Sequence, residues 1–208
     1  MFRPLVVVSV LLSLAAGQRI RQCTCAEVQP CKSGYANTLV PCVDACRAHA
    51  TALGADYGQL KQCLVSRQGQ LENTMRCTES SLANTCAARP GGMVQKRFPE
   101  TLKIAALTEI NRMMQASGVK NQLKGLLASG KKVYDCIKTC MDRSTNNCIK
   151  GLGCGLDLPS DSVLVQTAKR CAIQSGFNTG GVQQLCNCAA SAGIKQLQGG
   201  ICNKIVIT

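Results

Sequence analysis

The chain contains few aromatic and few acidic residues. It has no tryptophan, three tyrosines, three phenylalanines and one histidine, and its 24 Lys and Arg outnumber its 11 Asp and Glu. Proteins that bind single-stranded nucleic acid stack the bases on aromatic rings, and sugar-cleaving sites also use such rings. The scarcity of rings therefore argues against nucleic acid as a partner and against a sugar-cleaving site. With His49 alone, a histidine-based catalytic triad has only one candidate base.

Short catalytic and ligand-binding motifs are also missing. The sequence has no G-x-S-x-G, no H-E-x-x-H, no glycine-rich phosphate loop and no calcium loop. A pair of carboxylates, which is all that a glycosidase needs, stays open. However, the acidic residues are scattered, and Asp135 lies between Lys131 and Lys138 at helical spacing, which favours salt bridges. We predict a non-enzymatic protein with no catalytic residue and no cofactor; a hydrolase with an unrecognised carboxylate site is the least favoured alternative.

The longest apolar run lies at the N-terminus. Twelve residues, 5–16, follow Arg3 and end in small residues at Ala15 and Gly17. Such a run is too short to span a bilayer, and the pattern is typical of a secretory signal peptide. We predict that residues 1–17 are removed, that the mature chain begins at Gln18, and that it is secreted without a transmembrane segment.

Secretion determines how the cysteines are interpreted. All 16 cysteines follow Gly17, and an even number in an oxidising compartment indicates up to eight disulfides. One alternative is zinc at Cys42, Cys46 and His49, which share a helix face, although no fourth ligand is apparent. We predict no metal and disulfide bonds at Cys23, Cys25, Cys31, Cys42, Cys46, Cys63, Cys77, Cys86, Cys136, Cys140, Cys148, Cys154, Cys171, Cys186, Cys188 and Cys202.

Two C-x3-C pairs raise the question of what each cysteine bonds. Residues i and i+4 share a helix face, but their Cβ atoms are too far apart for a mutual disulfide. Each cysteine must therefore bond a neighbouring segment. Eight cysteines lie in 23–86 and eight in 136–202, separated by 49 residues without cysteine. We predict an N-terminal lobe, 18–90, and a helical segment plus C-terminal lobe, 91–208, with bridges mainly within each group of eight.

Helical periodicity predicts an all-α fold of disulfide-bridged hairpins or a bundle, in which a cysteine-free helical segment joins the two lobes. Apolar residues at helical spacing predict helices over 38–53, 98–118, 119–142, 159–176 and 180–197. Pro99 suits a helix start and Ser160 an N-cap, while Gly118 and Gly176 suit helix ends. Leu102, Ala106, Ile110 and Met113 form the predicted buried stripe of the second helix, and residues 18–35 are predicted to be irregular.

A row of lysines is the candidate binding site. On the helix predicted over 119–142, the side chains fall within an arc of about 40°, opposite Cys136 and Cys140; they are Lys120, Lys124, Lys131 and Lys138. Without residues 1–17, which hold one arginine, the formal net charge is +12. Such a surface favours a sulfated glycosaminoglycan or another extracellular polyanion. A carrier of lipid or another apolar ligand is the alternative, because bridged amphipathic helices can enclose an apolar cavity.

Two segments carry a resemblance to a known group. They are "PCVDACRAHATALGADYGQLKQCL" with the later "RCTESSLANTC", and the tail "NNCIKGLGCGLDLPSDSVLVQTAKRCAIQSGFNTGGVQQLCNCAASAGI". Their cysteine spacing and helical texture resemble the cysteine-rich helical domains of secreted nematode proteins, the chondroitin-proteoglycan-4 type in particular. The resemblance implies a non-enzymatic extracellular protein of a matrix or an eggshell. The chain departs from a proteoglycan core because it lacks an acidic, Ser-Gly-rich attachment region.

Overall fold

The predicted all-α class is confirmed. The computed structural model describes residues 18–145 and 147–208, so the predicted signal peptide, 1–17, lies outside the described residues. Within them, nine α-helices accompany one antiparallel pair of short strands, β1 (Arg19–Arg21) and β2 (Met93–Gln95). The helices are α1 (Cys25–Ala45), α2 (Arg47–Thr51), α3 (Tyr57–Val65), α4 (Gln68–Ser81), α5 (Pro99–Ala116), α6 (Lys120–Ser144), α7 (Cys148–Gly151), α8 (Asp161–Gln174) and α9 (Thr179–Ser191). Two 3-10 turns follow at Lys195–Leu197 and Ile201–Lys204.

Local signals set most of the predicted helix ends. Pro99 opens α5, and the Ser160 side chain accepts a hydrogen bond from the Val163 amide at the start of α8. Gly118 and Gly176 follow α5 and α8 with φ of +66° and +102°, a left-handed conformation that glycine adopts without strain. The prediction of an irregular segment over 18–35 is wrong, because these residues include β1 and the first half of α1. A capping box between Thr24 and Glu27 starts α1.

The disulfide pairing overturns the prediction of bridges within each group. Every described cysteine is paired, but only Cys25–Cys86 and Cys186–Cys202 lie within a group. The other six join the N-terminal group to the C-terminal group: Cys23–Cys154, Cys31–Cys148, Cys42–Cys140, Cys46–Cys136, Cys63–Cys188 and Cys77–Cys171. The division at residue 90 stays a prediction, but it does not separate two independently bridged lobes.

The two C-x3-C pairs bond each other. Helices α1 and α6 run antiparallel, so Cys42 meets Cys140 and Cys46 meets Cys136, with Cα atoms 5.5 and 6.0 Å apart. Because i and i+4 lie one above the other on a helix face, two such pairs match when the helices face each other in opposite directions. The doubled spacing in the sequence thus produces a double cross-link between two helices.

The main apolar cluster lies where the α5–α6 turn, α9 and the C-terminal 3-10 turns meet. Its buried members include Val119, Leu123 and Cys202, with exposed fractions of 1%, 8% and 0%. Elsewhere, α8 packs against both α4 and α5, and the Cys77–Cys171 bridge joins α4 to α8. The predicted stripe on α5 is wrong: Leu102 and Ile110 are exposed, whereas Glu109 and Met114 are the buried residues.

Among residues 18–145 and 147–208, no helix combines the length and the apolar composition needed to cross a bilayer.

Two glycines lie inside α6 without a packing reason. A Cβ atom built on Gly125 or Gly130 meets no neighbouring atom within 4 Å, and both residues have ordinary helical φ. Replacing both with alanine should raise the free energy of unfolding by about 1–2 kcal/mol, because alanine loses less backbone freedom on folding. Urea unfolding followed by circular dichroism measures the gain. The matched control is Gly118→Ala, which should destabilise the protein because its φ is positive.

Candidate polyanion-binding surface on helix α6

Helix α6 carries the lysine row predicted from the sequence, and the structure places its members in two different environments. Lys120, Lys124 and Lys131 are exposed, while the opposite side of the helix is buried or bonded to α1 through Cys136 and Cys140. Lys120 and Lys124 have no acidic side chain within salt-bridge distance among the described residues. The N-terminal half of the row therefore presents unpaired positive charge to solvent.

Lys138 differs from the rest of the row. Its Nζ atom lies 2.8 Å from Asp142 on the next turn, and Lys150 approaches the same carboxylate at 3.0 Å. The hydrogen bond to Asp142 raises the pKa of Lys138, and the same bond lowers the pKa of Asp142. Lys138 is also only partly exposed. Lys138 thus shares one carboxylate with Lys150 and is less available to an external anion than Lys120 and Lys124.

The carboxylate nearest the middle of the row, Asp135, is shared between Lys131 and a lysine of α5. Lys103 donates a hydrogen bond to Asp135 at 3.1 Å and lies 5.3 Å from the centre of the Tyr134 ring. This contact raises the pKa of Lys103, chiefly through the hydrogen bond. Lys131 reaches Asp135 only at 4.0 Å and keeps 62% of its side chain exposed. Lys131 is therefore still available to an external anion.

Two further lysines lie near the row. Lys132 is exposed, with no acidic partner among the described residues. Lys195 is exposed on the 3-10 turn that packs against α6. Lys132 lies outside the arc of the row, so helical periodicity did not point to it. Lys195 could not be placed from periodicity, because its position depends on the contact between Leu197 and the apolar cluster.

The zinc alternative does not hold for the N-terminal C-x3-C pair. Cys42 and Cys46 are both in disulfides, so neither offers a thiolate to a metal ion. His49 is left without the two ligands that the alternative required. The two sulfurs connect helices instead.

A second charged cluster connects α5 to α8. The buried Glu109 carboxylate accepts hydrogen bonds from Arg112 at 2.8 and 3.0 Å, from Lys169 at 2.8 Å and from Gln166 at 3.0 Å. These donors, Arg112 foremost, lower the pKa of Glu109 to about 2, against the opposing effect of burial. All its partners lie on the two packed helices. The cluster therefore holds two helices together.

The carboxylates bear on the hydrolase alternative through the direction of their pKa shifts. Asp44 accepts hydrogen bonds from Lys61 at 2.7 Å and from Tyr57 at 2.6 Å. The bond to Lys61 is the main cause of the lowered pKa of Asp44, while burial raises the pKa of Tyr57 to about 12. The resolved shifts of Glu27, Glu109 and Asp142 are also downward. A general acid in glycoside hydrolysis needs the opposite, a raised pKa.

Comparison with known proteins finds no matching family model, no similar curated protein and no similar solved structure. The resemblance to the chondroitin-proteoglycan-4 type stays a prediction.

Proposed function

We propose that this chain is a secreted, non-enzymatic structural or interaction protein of an extracellular matrix or fluid that binds polyanions through α6. Eight disulfides and no free cysteine among the described residues are typical of extracellular proteins. The observation that carries the proposal is the row of exposed lysines, Lys120, Lys124 and Lys131, on a helix that two disulfides fix to α1. Among the described residues, Lys120 and Lys124 have no acidic partner, and Lys131 approaches Asp135 only at 4.0 Å. Sulfated glycosaminoglycan is the partner class, and an eggshell matrix is one setting that the resemblance suggests.

The rigid support of the row favours this function. A polyanion that binds flexible lysines must also order the segment that carries them, which costs conformational entropy. Here the Cys42–Cys140 and Cys46–Cys136 bridges already order α6, and the chain has an excess of positive charge that attracts anions over several ångströms. Helix α6 therefore combines an ordered backbone with exposed positive charge, and both favour salt-sensitive binding of a polyanion.

Heparin affinity tests the proposal. Replacing Lys120, Lys124 and Lys131 with glutamine should raise the dissociation constant for heparin about tenfold, at about 0.5 kcal/mol for each exposed lysine. Added salt should release the wild-type protein, since exposed charges are screened beyond about 8 Å at physiological ionic strength. Isothermal titration at two salt concentrations measures both effects, and circular dichroism checks that the helices are unchanged.

The matched control removes three lysines that already have carboxylate partners. Lys61, Lys103 and Lys138 pair with Asp44, Asp135 and Asp142, so their replacement by glutamine lowers the formal charge by the same amount. We expect this variant to bind heparin within about twofold of the wild type. Equal losses in the two variants would show that net charge alone governs binding and that the row is a solvated surface.

The carrier alternative has less support. Two grooves of the described structure, each about 280 Å³, lie along α8 and are widely open. Gln166 and Arg170 line both, and neither groove encloses a ligand-sized space. Binding sites for apolar ligands enclose most of the ligand surface within apolar walls. Neither groove offers this.

A further inference from the structure

Helix α5 exposes three large apolar side chains on one side. Ile104, Leu107 and Ile110 have exposed fractions of 64%, 40% and 38%. Spaced three residues apart, they follow one another along the helix over roughly a third of its circumference. We call these three residues the apolar face. The opposite side of α5 packs against α8 around Glu109, so the apolar face is directed away from α8.

Two contacts fix where α6 lies relative to this face. Lys103 bonds Asp135 at one end of the helix pair, and Met114 and Leu123 share the apolar cluster at the other. The helices run antiparallel across a short turn, so this register sets Ile104 level with Tyr134 and Leu107 level with Lys131. Tyr134 is 49% exposed. Lys131 and Lys132 of α6, both exposed, therefore lie level with the apolar face of α5, and Lys124 and Lys120 follow towards the turn between the two helices.

The apolar face, Tyr134 and the neighbouring lysines together form an amphipathic surface. Exposed apolar side chains next to a tyrosine and several lysines are the composition of surfaces that lie at the boundary between water and anionic lipid. Lysines attract the anionic headgroups, while isoleucine and leucine enter the upper acyl region and the tyrosine ring stays at headgroup level. We propose that the apolar face, together with Tyr134 and the adjacent lysines, docks the protein onto anionic phospholipid membranes.

Two other occupants fit less well. A second copy of the chain carries the same excess of positive charge, so bringing two copies together repels like charge with like. A sulfated polysaccharide complements the lysines but offers no apolar surface to cover Ile104 and Leu107. A lipid surface of negative charge complements both parts.

Vesicle flotation tests the proposal. The wild-type protein should bind vesicles of phosphatidylcholine with about 30% phosphatidylglycerol at least tenfold more tightly than vesicles of phosphatidylcholine alone. The variant Ile104→Ser, Leu107→Ser, Ile110→Ser should lose about tenfold or more of the binding to the anionic vesicles. Its heparin affinity should be unchanged, so this proposal and the proposed polyanion function fail separately.

The control variant changes three apolar residues of similar exposure elsewhere. Val65, Leu71 and Met75 are 52%, 41% and 53% exposed, and two of them lie on α4 with Glu72 and Glu79. Their replacement by serine should leave vesicle binding within about twofold, because no lysine row lies on α4. Circular dichroism and thermal unfolding verify that both variants are folded.

Three results would overturn the proposal. The first is a wild-type protein that does not float with anionic vesicles. The second is equal binding by the wild type and the variant of the apolar face, which would assign the attraction to charge alone. The third is a wild-type dimer that the same substitutions dissociate, since the apolar face would then be an interface between two copies.

Discussion

Removal of both cross-links between α1 and α6 should lower the free energy of unfolding by about 6 kcal/mol, whereas removal of either alone should cost about 2–3 kcal/mol. While one bridge remains, the other closes a loop of only about ten residues, because the cysteines are four apart on each helix. When both are absent, the nearest remaining bridge along α1 is Cys31–Cys148. The first α1–α6 bridge to form then closes a loop of roughly twice that length, so the loss of the second bridge costs slightly more than the loss of the first. The variants are Cys42→Ala with Cys140→Ala, Cys46→Ala with Cys136→Ala, and all four together.

Urea unfolding under non-reducing conditions measures these losses. Small proteins are stable by about 5–15 kcal/mol, so the fourfold variant should be marginally folded or unfolded at room temperature. The control is Cys186→Ala with Cys202→Ala, a bridge that spans 16 residues in the C-terminal segment. Its cost should add to that of either α1–α6 bridge, because the sites are separate. A loss below about 2 kcal/mol in the fourfold variant would show that side-chain packing alone holds α1 on α6.

Replacing Glu109 with glutamine should cost about 2–3 kcal/mol at neutral pH. The carboxylate is 8% exposed, and the change leaves Lys169, whose side chain is 14% exposed, without its counter-charge. The folded pKa of Glu109 lies at about 2, below its ordinary value of 4.5. Because the folded pKa is the lower of the two, the ionised carboxylate stabilises the folded state in full when the pH is above the ordinary pKa. This stabilisation is lost as the pH falls towards the folded pKa.

The pH dependence separates this electrostatic role from packing. The difference in unfolding free energy between the wild type and Glu109→Gln should be largest above pH 4.5 and should shrink as the pH falls towards 2. Glu27 provides the control, because its pKa is also lowered to about 2, chiefly by the hydrogen bond from Arg21, but its side chain is 35% exposed. Glu27→Gln should cost less. If the difference in unfolding free energy between the wild type and Glu109→Gln does not change with pH, the effect of Glu109 comes from packing rather than from charge.

The sequence predicted those features that depend on neighbouring residues. Helix ends are set by residues that influence only the adjacent turn of the chain. Four of them lie at helix ends as predicted: Pro99, Ser160, Gly118 and Gly176. The start of α1 also had a local signal, the Thr24-x-x-Glu27 capping box. Pro30 and Pro41 lie inside α1 and oppose this signal, since proline removes a backbone donor and crowds the preceding turn.

The sequence alone did not predict which distant segments pair with each other. Eight cysteines in one group already allow 105 arrangements, and nothing local distinguishes Cys63–Cys188 from its alternatives. The burial of Glu109 likewise depends on Lys169, which lies 60 residues further along the chain. In the lysine row, the pairing of Lys138 with Asp142 was readable from the i, i+4 spacing, whereas the approach of Lys103 from α5 was not.

The connectivity of the bridges has a consequence for biosynthesis. A chain emerges from the ribosome N-terminus first, and until Cys136 appears the only native bridge available is Cys25–Cys86. Six earlier cysteines must wait for partners that are synthesised 90 to 131 residues later. Any bond that forms among these six before then is non-native and must be broken by thiolate attack. Most of the native oxidation therefore comes late in synthesis or after it, and the yield of native protein depends on disulfide exchange at that stage.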